Sequence, residues 1–282
     1  MGIFFKSRVP KEDFTEDRIP KRGLFEFLDI YFSRFMKFIG LNFLIVLSNL
    51  IYIAVLFFFS PVNAEAFGLA LDGVGIGYDM FFRMLFATSV VLFWGGGPVT
   101  AGVSYIFRLY KSREHAWIFS DFKDKTKENF KNALIVMAID IVVLFLLPLA
   151  FRFYWGKYTM TPSPVFLIIM GILIVFTVIY TFMHYYMYQM MVRYECKVKE
   201  LYKNAYILTI VKFPQLLIMT VISLVIFVVP LYFLDVYGFL VLALLTMSLI
   251  RFILEFYASK VIEATVEEAE SKEKAIDPDR YK

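Results

Sequence analysis

The chain has 282 residues, of which 60% are hydrophobic, 19% aromatic and only 19% charged, and its mean hydropathy is +0.68. Soluble domains average about 45–50% apolar and about 25% charged residues, so this excess is too large for one buried core and argues against a soluble enzyme. Fourteen Gly, ten Pro and a single Cys exclude collagen, extended disorder and a disulfide scaffold, and the net charge of +4 matters less than where the charges lie.

The first 23 residues are polar and charged with no apolar core of their own, so no cleavable signal peptide is expected. From Gly23 to Lys37, Phe, Leu, Ile, Tyr and Met alternate with Glu26, Asp29, Arg34 and Lys37 at helical spacing. That pattern predicts an amphipathic helix at a membrane interface.

A spanning helix needs roughly 20 mostly apolar residues. Phe38–Phe59, Ala133–Tyr154, Val165–Met191, Gln215–Leu234 and Val236–Phe256 qualify as they stand. Phe81–Tyr110 also qualifies but is cut by Gly95, Gly96, Gly97 and Pro98, and is read as one broken span. The expected fold is therefore an all-α polytopic membrane protein with six transmembrane helices, since no strand alternation is present. Its divisions are an N-terminal segment to residue 37, a membrane domain over 38–257 and a charged, solvated tail over 258–282.

Basic residues cluster in four places: before the first span, after the second (Lys111 to Lys131), after the fourth (Arg193 to Lys212) and in the tail. The three alternate loops hold only Lys157. The positive-inside rule then puts both termini and the basic loops in the cytosol, and requires an even number of spans. Topology accounts for these charges, so no nucleic-acid partner is expected.

Two basic loops also echo each other. Lys127–Ala133 reads KENFKNA and Lys199–Ala205 reads KELYKNA, five of seven positions being identical. This suggests a parallel repeat, of a kind found in transport proteins, presenting Phe122, Phe130, Lys131, Tyr202 and Lys203 on cytoplasmic helices suited to docking a partner.

Gly97-Pro98-Val99-Thr100-Ala101-Gly102 runs into Tyr105-Ile106-Phe107-Arg108. Phe119-Ser120-Asp121-Phe122, Asn129-Phe130-Lys131, Arg193-Tyr194-Glu195 and Lys203-Asn204-Ala205 follow. With the Gly23-Leu24-Phe25 start, this pattern resembles the YesL family of bacterial membrane proteins over about residues 23–256, with Ser60–Met80 reading as an insertion. The resemblance implies a bacterial plasma membrane and an association with carbohydrate ABC importers. It implies no catalytic residue and no cofactor.

The glycine-proline break frees a helix N-terminus, with Thr100 and Ser104 adding hydroxyls. It can bind a ligand or serve close helix packing. Asp140, His184 and Arg251 fall at similar depth in three spans and form a candidate intramembrane polar layer, either conducting or structural. Glu255 lies one turn beyond Arg251 and can pair with it. Two histidines and one cysteine give no zinc-ligand spacing, and no phosphate loop, dinucleotide fingerprint or nucleophile elbow appears. An enzyme is not expected. Three readings follow: an accessory or scaffold subunit of a carbohydrate ABC importer, a transporter in its own right, and a membrane sensor. Against an ordinary ABC permease, neither repeated loop carries the EAA-type glycine motif of those subunits.

Overall fold

The computed structural model describes residues 23–58 and 97–276, with no account of the side chains of 48–58, 269–276 and a few positions between 144 and 243. Among the described residues there are helices and no strands. Gly95 and Gly96 of the break lie outside them, as do the first half of the second expected span and most of the N-terminal segment.

Helix α1 (Leu24–Ser33) turns through 78° at Arg34 into α2 (Phe35–Phe58). Helix α3 (Pro98–Lys111) starts on a proline, whose fixed φ suits a first helical position. The residue before it, Gly97, sits at φ 84°, a left-handed conformation that favours glycine. Helix α4 (Ile118–Glu128) follows, and Asn129 separates it from α5 (Phe130–Met160). A three-residue turn ends at Ser163, whose hydroxyl caps α6 (Pro164–Arg193) from the Val165 N–H at 3.4 Å. Helix α7 (Val198–Val211) leads into α8 (Phe213–Val241), then a π-helical turn (Leu242–Thr246) and α9 (Met247–Ile276).

Among the described residues, three helices are long and apolar enough to cross a membrane: α5, α6 and Phe213–Leu234 of α8. The bent pair α1–α2 makes a fourth if it is counted as one span. These helices match the first, third, fourth and fifth expected spans to within a few residues at most ends. The sixth differs. Helical structure runs on through Asp235, where the sequence suggests a turn, to Val241. From there it passes without a break through the π-helical turn into α9. Asn42 of α2 holds this turn. Its amide Nδ2 donates to the Leu244 carbonyl at 2.7 Å, and its Oδ1 accepts the Ser248 N–H at 2.7 Å. These bonds satisfy backbone groups that the wider turn leaves open.

The tail differs as well. Ser259, Val261 and Ile262 are buried, so α9 continues into the packed body past residue 258 rather than entering solvent there.

Two apolar clusters build the interior. One gathers α5, α6, α7 and α9 around Tyr186, Met187, Met190, Leu201 and Ile262. The other packs α1 and α2 on α3 and α9 through Phe38, Phe107, Tyr110 and Phe252, with the Phe38 and Phe252 rings 5.0 Å apart. Between the clusters, α3, α6 and α9 lie side by side in the same direction. Outward faces of α6 and α8 show Ile168, Ile172, Val175, Leu217 and Val221, all more than 45% exposed. Apolar surface on this scale suits lipid contact.

Candidate functional site

The polar groups that hydropathy singles out fall into separate clusters. In the first, Glu255 of α9 is buried among three helices. Ser104 Oγ of α3 donates to its Oε1 at 2.9 Å and Arg251 Nη2 to the same oxygen at 3.2 Å. Gln189 Nε2 of α6 donates to Oε2 at 2.7 Å and to the Ser104 carbonyl at 3.1 Å. Both carboxylate oxygens are therefore bonded, and the carboxylate ties α3, α6 and α9 at one level. A charge so placed is tolerated only when paired and hydrogen-bonded. Arg251 spends its interaction one turn along its own helix.

Two turns back along α3 from Ser104, the glycine-proline break meets α6. The Gly97 N–H donates to Tyr188 Oη at 2.6 Å. Thr100 is buried, and the Thr100 N–H donates to the Gly97 carbonyl at 3.1 Å. Gln189 Oε1, at the Ser104 level, is buried without a hydrogen-bond partner.

The second cluster joins α5, α6 and α7. His184 Nε2 lies 2.8 Å from Asp140 Oδ1, and His184 Nδ1 lies 2.8 Å from the Tyr180 carbonyl. Tyr180 Oη donates to the same Asp140 oxygen at 2.5 Å and stands 3.5 Å from Tyr202 Oη. Burial pushes the Tyr202 hydroxyl up to about 12, so it keeps its proton. Asp140 and His184 thus meet as their shared depth suggests, while Arg251 belongs to the Glu255 cluster. A groove of about 550 Å³ lies beside this cluster, lined by Ile172, Val175, Phe176, Tyr180 and Tyr206.

A third cluster sits two turns further along the same three helices. Lys111 of α3 pairs with Glu263 of α9 and reaches Ser259 Oγ at 3.2 Å. Arg193 of α6 donates to Glu263 at 2.8 Å and to Ser259 Oγ at 2.8 Å. Burial alone would raise the Glu263 carboxyl, but Arg193 and Lys111 outweigh it and hold it below its ordinary range. Lys111 is lowered by its own burial against the pull of Glu263.

The candidate docking residues divide. Phe122 turns inward against the second apolar cluster, and Tyr202 turns toward Tyr180. Phe130 is 50% exposed, and Lys131 and Lys203 are exposed. The two repeat copies lie differently: the first straddles the α4–α5 junction at Asn129, while the second falls wholly inside α7. Ala133 and Ala205, which correspond in the repeat, are both fully buried in one cluster. Trp117 and Phe119 at the start of α4 are 71% and 75% exposed.

Sequence reasoning does not find Asn42, Gln189, Tyr180 or Tyr188. Asn and Gln in an apolar segment are the available signal, because a neutral amide in a span needs a partner. Among the described residues, no group of three His, Cys, Asp or Glu side chains could hold a metal ion. Comparison with family models, with curated proteins and with solved structures finds no match for the chain.

Proposed function

We propose that this chain is a non-enzymatic accessory or scaffold subunit of a bacterial carbohydrate ABC import system. On this reading it sits in the plasma membrane with six spans and both termini cytoplasmic. The observation that carries the reading is the contrast between polar interior and exposed ends. Glu255, Arg251, Ser104 and Gln189 satisfy one another inside the bundle, which suits holding helices together. Trp117, Phe119 and Phe130 instead stand exposed at the segment that carries a basic loop, which suits contact with a partner or the headgroup region. The resemblance of the GPVTAG and NFK elements to the YesL family supplies the importer. The exposed apolar residues of α1 (Leu24, Phe25 and Phe32), together with ion pairs from Glu26 and Asp29 to Lys260 and Arg113, support an interfacial position for that helix.

Photo-crosslinking from positions 119 and 130 in native cells tests the reading. Adducts with an importer permease subunit are expected, and adducts with lipid alone would contradict it. A second reading, a transporter in its own right, is favoured by the Gly97–Pro98 break, where Tyr188 on α6 meets the start of α3. Solute uptake by the purified chain in liposomes would select that reading.

A further inference from the structure

We propose that Asp140 and His184 form a proton-binding site inside the helix bundle, linked by Tyr180 to Tyr202 on α7. The inference rests on geometry and is independent of the importer reading. His184 Nδ1 faces the Tyr180 carbonyl at 2.8 Å, and a carbonyl can only accept, so Nδ1 carries a hydrogen. Nε2 faces Asp140 Oδ1 at 2.8 Å. If the ring is neutral, Nε2 presents a lone pair. An ionised carboxylate would then oppose it, lone pair against lone pair, at hydrogen-bonding distance. One further proton must therefore occupy the line between Nε2 and Oδ1, on either atom, and this proton holds α5 against α6.

The surroundings make that proton decisive. Tyr180 Oη donates to the same Oδ1 at 2.5 Å, while Asp140 Oδ2 is buried with no partner and Asp140 as a whole is 3% exposed. Loss of the bridging proton leaves a buried carboxylate with one hydrogen bond, a costly arrangement. The other titratable groups acting on Asp140 are Tyr180 and Tyr188 of α6 and Tyr202 of α7, with Arg251 of α9 beyond Tyr188. The route out runs through hydroxyls. Tyr180 Oη stands 3.5 Å from Tyr202 Oη, and each hydroxyl can pass one proton on as it accepts another, with no net change to itself. The proton is the ligand, and the spacing of α5, α6 and α7 is what it controls.

The test is a thermal-unfolding series on the full chain in nanodiscs between about pH 5 and pH 9, the range in which an imidazole changes charge. Wild type is expected to lose stability as the bridging proton leaves at the alkaline end. Asp140→Asn keeps the contact without that proton, because its amide N–H donates to the Nε2 lone pair. Its profile is expected to stay flat over the same range. Wild type and Asp140→Asn losing stability in parallel would overturn the proposal. Nitrogen-15 spectra of the His115→Gln protein, in which His184 is the one remaining histidine, decide the matter without changing the site. Nδ1 protonated throughout and an Nε2 signal that moves as the bridging proton leaves, whichever atom carried it, is the expected result. A ring unchanged over that range overturns it.

Discussion

Gln189 on α6 reaches Glu255 on α9 at 2.7 Å, and the same amide nitrogen bonds the Ser104 carbonyl on α3 at 3.1 Å. One neutral side chain and one carboxylate thereby fix three helices in register, at a level where no other charge than Arg251 bonds to Glu255 among the described residues. The arrangement explains how a carboxyl group can be buried in so apolar a chain. Each of its oxygens is taken, and the cost of burying it is offset by charge-assisted hydrogen bonds.

Removing the carboxylate should therefore cost more than removing its neighbours. Glu255→Leu strands Arg251, Gln189 and Ser104 together, with an expected loss of about 3–5 kcal/mol. Gln189→Leu removes one charge-assisted bond and should cost about 1.5–3 kcal/mol. Unfolding of the purified variants in mild detergent measures both, and equal losses would mean that the carboxylate is not the hub.

Gly102 makes a second prediction. A Cβ at this position would lie 2.7 Å from the Phe122 ring and 2.8 Å from the Phe122 carbonyl, and would also collide with Thr126 Oγ1. Gly102→Ala must push α4 off α3, at about 1–3 kcal/mol by analogy with overpacked cores. Faster hydrogen exchange confined to α4 is the expected signature. Thr126→Ala should restore only part of the packing, since the backbone carbonyl stays in the way.

The π turn makes a third. Asn42→Leu removes both bonds to the turn and leaves the Leu244 carbonyl and Ser248 N–H without their partner, an expected loss of about 2–3 kcal/mol. Asn42→Asp keeps the acceptor for Ser248 but sets a buried carboxylate oxygen against the Leu244 carbonyl, and should lose at least as much. Thermal unfolding ranks the three proteins.

Acid sensitivity should trace to Glu263. Its carboxyl is held below the ordinary range by Arg193 and Lys111, so the unfolded chain binds the proton more tightly than the folded one. The pairing stabilises the fold above the ordinary carboxyl value of about 4.3 and is lost as pH falls through the lower folded value. Wild type should lose stability below about pH 4.3 more steeply than Glu263→Gln, which starts lower and lacks this titration. Parallel acid profiles would show the bridge to be inert.

Hydropathy reads α5 and α6 well because each is a long apolar run with clear ends. Ala133–Tyr154 lies within Phe130–Met160, and Val165–Met191 within Pro164–Arg193. It puts a boundary at the lone Asp235, where helical structure continues. The helix continues past it to a π turn that is held by Asn42, some 200 residues away in sequence. Depth along the spans brings Asp140 and His184 together, yet it also groups Arg251 with them. The i,i+4 spacing of Arg251 and Glu255, the alternative that the sequence also offers, is the pairing that the structure shows. Gln189 and Ser104 are invisible to a search for charges, although they make two of the three hydrogen bonds to Glu255. Burial of the tail past Ser259 is hidden by its acidic composition, since Lys111 and Arg193 neutralise Glu263 from other helices.

The most direct test of the scaffold account is purification of the tagged, full-length protein from its native host in mild detergent, with subunit stoichiometry read by mass spectrometry of the intact complex. The account predicts importer permease and solute-binding subunits in fixed ratio to this chain. That ratio should fall in a Phe119→Ala, Phe130→Ala variant whose melting temperature is unchanged. Recovery of the wild-type chain alone, as a monomer or homo-oligomer, would contradict it.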